Sequence, residues 1–211
     1  METLHVGDQV NTRHHGAQTI RWIGKRSLKL APYFPKDRFR PIEISIGALG
    51  QGLPREPLRL SRQQRVLVSS PVNQRMFGTQ DSLIAAVKLI DLPGIHIDTD
   101  CTEVTYIHLL FDQHDVIFAN GAPCESLHSG PEALKSISSA ARAELFAIFP
   151  ELMTAPNQRR LAALCPENRQ QRQLIARHKK NKKTSALPLT RHASTLFKRR
   201  IASVPSARGS G

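Results

Sequence analysis

Between His108 and His128 the chain gathers side chains able to hold a metal or move a proton: His108, Asp112, His114 and His128. A spacing of four and then two sets His108, Asp112 and His114 on one side of a hairpin if the turn keeps its parity, and three protein ligands suffice for a catalytic zinc. No H-E-x-x-H or comparable motif accompanies them. Asp and His are also ordinary residues of a polar turn. No metal and no cofactor is assigned. Cys124 is a candidate nucleophile in "ANGAPCESLH", with Glu125 and His128 nearby. Attack needs a scissile carbonyl held about 3–3.5 Å away. Nothing in the sequence supplies one, so a free thiol is expected there. Cys101 and Cys165 have no chemical case. The stretch "GALGQG" has neither the G-x-G-x-x-G nor the P-loop spacing, and no G-x-S-x-G is present.

The elements that would position these groups are mostly strands. "LHVGDQVNTRHHGAQTIRWIG" reads as two strands around a turn at His14-His15-Gly16, with Trp22 and Ile23 as core residues and Gly24 serving the following turn. In "PIEISIGALG", Ile42, Ile44 and Ile46 alternate with Glu43 and Ser45. "QRVLVSSPV" is another β-rich run, and "EVTYIHLLFD" with "DVIFANG" suggests a pair around a tight connection at Asp112-Gln113-His114. Frequent Gly and Pro suit a folded-over all-β domain. "DSLIAAVKLIDLPG" predicts a helix capped by Asp81 and stopped by Pro93-Gly94. After Gly130, "SSAARAELFAIFPEL" predicts an amphipathic helix with Leu145, Ile148, Phe149 and Leu152 on one stripe and Ser138 or Ser139 as its cap. Pro156 and Pro166 sit at plausible first positions of two further, weak helices.

Charge divides the chain in two. Residues 1–154 carry 16 Lys/Arg and 16 Asp/Glu, whereas residues 155–211 carry 14 Lys/Arg and a single acid, Glu167. The first is a β-domain of ordinary charge, and the second a basic, weakly helical to disordered extension, without periodicity from Lys179 onward. No apolar run is long enough to span a bilayer, and "METLHVGDQV" lacks the features of a signal peptide. Three scattered cysteines exclude a disulfide framework or cysteine zinc site and point to a reducing cytoplasm.

Taken together, "LHVGDQVNTRHHGAQTIRWIG", "IEISIGALGQGLPREPLRLSRQQRVLV", "VTYIHLLFDQHDVIFANGAPCESLHSG" and "LFAIFPEL" resemble the bacterial Hint domain, the hedgehog/intein self-processing fold, over roughly residues 4–152. The resemblance implies a mainly β, Hint-like folded-over domain with short helices. It also implies an intramolecular N–S acyl shift in which a domain-initial Cys attacks the preceding carbonyl and a second nucleophile resolves the thioester. Histidines serve the proton transfers. One belongs to a Thr/Ser-x-x-His element, which aligns with "SRQQ": Ser61 matches, but Gln64 replaces the histidine, and an amide exchanges no proton at working pH. The other aligns with His114, with Asp112 two residues before it. The domain-initial Cys should lie upstream of "LHVGD", where only Met1-Glu2-Thr3 stand.

Self-processing is therefore not expected. Either the true start lies upstream or the copy has decayed. The catalytic positions carried over are His114, Asp112, Ser61 and Gln64. The partner would be the chain's own upstream polypeptide, or a separate N-terminal fragment that His114 serves in trans. The alternative is a non-enzymatic scaffold whose basic tail binds nucleic acid or an anionic surface through its charge. Only Phe197 in the extension beyond Lys179 is aromatic, which gives base stacking little support.

Overall fold

The computed structural model describes residues 3–30, 39–128, 130, 138–154 and 160–182. It is mainly β and antiparallel. A six-stranded sheet has the order β2 (Gly16–Thr19), β1 (Gln9–Thr12), β10 (Val116–Ala119), β11 (Ala122–Glu125), β6 (Arg65–Ser69), β7 (Asp81–Ala85). A two-stranded ribbon joins β3 (Trp22–Lys29) to β9 (Glu103–Leu110), and a three-stranded sheet has the order β5 (Leu58–Leu60), β4 (Ile42–Ile44), β8 (Ile95–Ile97). The helices are α1 (Pro71–Phe77), α2 (Ser139–Ile148), α3 (Glu151–Thr154) and α4 (Asn168–Lys182).

The first hairpin forms where the sequence places it, Thr12 facing Gly16 across the turn. The second does not. β9 pairs along its whole length with β3, from Trp22↔Leu110 to Lys29↔Glu103, while β10 pairs with β11 and β1. Residues 111–115 thus carry the chain from one sheet to another rather than closing a hairpin. The pairing takes in all eight residues of each strand, and Phe111 is 1% exposed at the crossing. The tight turn lies one strand later, at Asn120-Gly121, where both residues have positive φ (49° and 82°) and Ala119 faces Ala122. Asn-Gly is the pair favoured for a two-residue hairpin loop, so the signal was present in the sequence.

Three further expectations are corrected. The helix expected from Asp81 is instead strand β7 followed by a 3-10 turn at Ala86–Lys88. Ser82 to Ala85 are all buried, so the strand shows no alternation, and pairing with β6 overrides the helical propensity of the run. The helix stands earlier, at α1, where Ser70 accepts the Asn73 N–H, Pro71 opens the first turn and Gly78 closes the last at φ 72°. Gly24 is not in a turn but inside β3; a Cβ there would lie 2.3 Å from Cη2 of Trp22, whose ring folds over the glycine. Ile46 lies past the end of β4 and is exposed.

α2 is capped by Ser138, whose hydroxyl accepts the Ala141 N–H. Leu145, Phe149 and Leu152 pack on Trp22 and Leu110, and Trp22 Nε1 donates to Glu144 at 3.1 Å. Ile148, expected on the same stripe, is partly exposed. Pro156 lies outside the described residues. Beyond them, residues 160–182 lie against the β-domain. Leu164 bridges β7 in parallel, accepting the Leu83 N–H at 2.8 Å. Helix α4 then places Leu174 and Ile175 in the main core beside Ile42, Val66 and Leu89. Gln171 accepts the Ala85 N–H and donates to the Pro166 carbonyl, and His178 Nε2 meets Ser70 Oγ at 3.0 Å. The helix runs to Lys182, past the point where periodicity fades; residues 183–211 lie outside the described set.

Candidate functional site

β6 and β11 meet at Val66↔Cys124, which sets Gln64 and Arg65 beside Glu125 and Ser126. Glu125 is buried and accepts the Arg65 backbone N–H at 2.9 Å and its guanidinium at 3.0 Å. Burial opposes the charge of Arg65, but the carboxylate outweighs it and holds the guanidinium pKa above its ordinary value. Gln64 Nε2 donates to the Glu125 backbone carbonyl at 2.7 Å, and its own N–H closes a turn onto the Ser61 carbonyl at 3.1 Å.

His114 comes to the same place from the crossing segment. Its Nδ1 accepts the Ala162 backbone N–H at 3.0 Å. An accepting Nδ1 bears no proton, so the neutral ring carries its proton on Nε2. That nitrogen is buried, makes no hydrogen bond and lies 3.8 Å from a Glu125 oxygen. The His128 ring stands edge-on to it, centroids 5.0 Å apart. His108 is shifted towards its neutral form by burial, with Glu125 pulling the other way.

The four carried-over residues therefore divide. Gln64 and His114 both reach Glu125. Ser61 supports them only through its backbone carbonyl. Asp112 faces away: it is exposed and pairs with Arg21 Nε at 3.4 Å. The buried carboxylate at the crossing is Asp115, which sequence reasoning passed over. Its oxygens accept Nδ1 of His14 and of His15, each at 2.7 Å, together with the backbone N–H groups of both residues and of Val116. Burial would raise its pKa, but the Val116 N–H, the Thr12 hydroxyl and the two histidines hold it down at about 2. The signal was the pair His14-His15 at a hairpin tip, although nothing in the sequence names their partner.

No group of three or more His, Cys, Asp or Glu among the described residues is arranged to hold a metal. The thiols are poorly placed for attack. Cys124 is fully buried in β11, and burial, reinforced by Glu125, pushes its pKa up to about 12. Cys165 is half-buried, with its pKa also raised by burial, and Cys101 Sγ donates to the Glu103 carbonyl at 3.2 Å.

This framework, a folded-over β-domain with its polar groups collected where β6 and β11 meet, can be set beside known proteins. The family model described as the Hint domain matches residues 1–131. The chain belongs to the Hint domain family. Neither the curated proteins nor the solved structures gave a match to it. The Hint match takes in strands β1 to β11 and stops before α2 and α4, so Ala162, which bonds His114, comes from outside the matched region. Among the described residues no helix is long and apolar enough to cross a membrane.

Proposed function

We propose that this chain is a Hint scaffold, related to self-processing domains but inactive in the intramolecular acyl shift and peptide cleavage of that reaction. The observation that carries the reading is Gln64. At the position where the resemblance calls for a histidine, an amide donates to the Glu125 carbonyl, and an amide neither takes nor gives a proton. His114 supports the same reading, since its one basic nitrogen already accepts the Ala162 N–H. Asp112 and Ser61 are retained positions without a proton-transfer role. The polypeptide such a site would act on is the chain's own upstream segment, or a separate N-terminal fragment served in trans. Three free cysteines fit a reducing, cytoplasmic setting.

The test is the intact mass of the purified chain incubated with dithiothreitol, alone and as the Gln64→His variant. No peptide is released from either. Loss of a discrete fragment from the wild-type chain overturns the inactivity. Release from the histidine variant alone would show that position 64 was the sole lesion.

A second reading, a non-enzymatic scaffold whose basic segment binds nucleic acid or an anionic surface, is favoured by the exposed cations of α4.

A further inference from the structure

We propose that the solvent face of α4, with α1 beside it, binds the phosphate backbone of a nucleic-acid duplex. This rests on the second reading above and assigns the contact to the helix α4 rather than to residues 183–211.

The helix is anchored on one side only. Gln171, Leu174, Ile175 and His178 are buried, at the i, i+3, i+4, i+7 spacing of a single stripe. At about 100° per residue, Arg169 and Lys180 lie opposite that stripe, Arg172 and Lys179 on one flank and Arg177 on the other. All five are exposed. The helix has no acidic residue in its 15 positions. Among the described residues none of the five pairs with a carboxylate. The neighbours extend the field: α1 packs on α4 and presents exposed Arg75 without an acid, and the 3-10 turn against the same helix brings Lys88.

Uncompensated like charges on a fixed element repel one another, and a polyanion relieves that repulsion while releasing its own counterions. From Arg169 to Lys180 the helix rises roughly 16 Å, which spans about five phosphates of one DNA strand. A bilayer fits less well. An interfacial helix needs an apolar face turned outward, and here Leu174 and Ile175 are in the core. A single strand also fits less well, because α4 has no Phe, Tyr or Trp for stacking and its one imidazole, His178, is buried. Contacts limited to phosphate carry no base specificity.

The experiment uses the full chain and a short labelled DNA duplex, with binding followed by anisotropy between about 50 and 200 mM salt. If all five cations engage, log K falls against log salt with a slope of about −4.5. The exposed-face variant Arg169→Ala, Arg172→Ala, Lys179→Ala, Lys180→Ala reduces that slope by three to four and weakens binding at low salt at least tenfold, at unchanged thermal midpoint. Arg75→Glu, on a separate helix, weakens binding as well and stands as the check if the fourfold variant unfolds. Neutralising Lys198, Arg199 and Arg200 leaves the slope nearly unchanged. The proposal is overturned by absence of binding at low salt. It is equally overturned by loss on neutralising 198–200 but not on the α4 changes, or by capture on phosphatidylserine vesicles without duplex binding. The thiol assay on Gln64 is independent of every one of these outcomes.

Discussion

Asp115→Asn isolates a buried carboxylate held between two histidines. The carboxylate is inaccessible to solvent and faces donors, among them two imidazole Nδ1 atoms and the N–H groups of His14, His15 and Val116. The surrounding donors hold its pKa down at about 2 against an ordinary 3.8, a gap worth roughly 2 kcal/mol of stability. The folded-state value is depressed, so that stability is present above the unfolded value near pH 4 and is lost as pH falls towards 2. Asparagine removes the charge and turns an NH2 group towards donors, at a cost of about 2–4 kcal/mol at neutral pH. Urea unfolding of both proteins between pH 5.5 and 2 checks this, because the other carboxylates titrate in both and cancel in the difference. The gap between wild type and variant shrinks by about 2 kcal/mol across that range. A gap that stays constant to pH 2, or one below about 0.5 kcal/mol at pH 5.5, refutes the assignment of the buried charge to Asp115.

Gly24→Ala drives a methyl into the Trp22 ring, which is 2% exposed and has nowhere to go, and it should cost about 1–3 kcal/mol in urea unfolding with a shifted tryptophan emission. Leu174→Ala, at a site with no solvent exposure, should cost about 2–5 kcal/mol in the same assay, and a loss below about 0.5 kcal/mol would mean that α4 is not part of the core. In native thiol titration Cys165 reacts first, whereas Cys124, with its pKa held at about 12, reacts only as the protein unfolds.

What the sequence shows of this fold is what depends on neighbours in the chain. The turn at Gly16, the alternation Ile42–Ile44 and the cap at Ser138 are local, and each is found where its residues predict. β7 shows no alternation because both of its faces are covered, Ile84 by the main core with Leu174 and Ile175 and Leu83 by the cluster that packs Ala162 and Ala163, and those covering residues lie far away in the chain. Trp22 was legible as core, but not Gly24 as the space its ring occupies. At the site, resemblance led to Gln64 and His114, both of which meet Glu125. It also led to Asp112, which lies three residues before the buried carboxylate of Asp115 and pairs with Arg21. Asp115 finds its imidazole partners 101 and 100 residues earlier in the chain, a distance over which no pattern carries information.

The bridge from Leu164 to β7 bears on the order in which the molecule can be completed. Synthesis delivers the whole family-matched stretch, with the Leu83 N–H, the Ala85 N–H and His114 Nδ1 all awaiting partners, before it delivers residues 162 to 171. Until then the outer edge of the sheet is an unpaired template, the kind of surface on which nascent chains associate. A fragment cut at the family boundary would remain in that condition permanently. Its solubility would then depend on whatever strand or chaperone met the edge first.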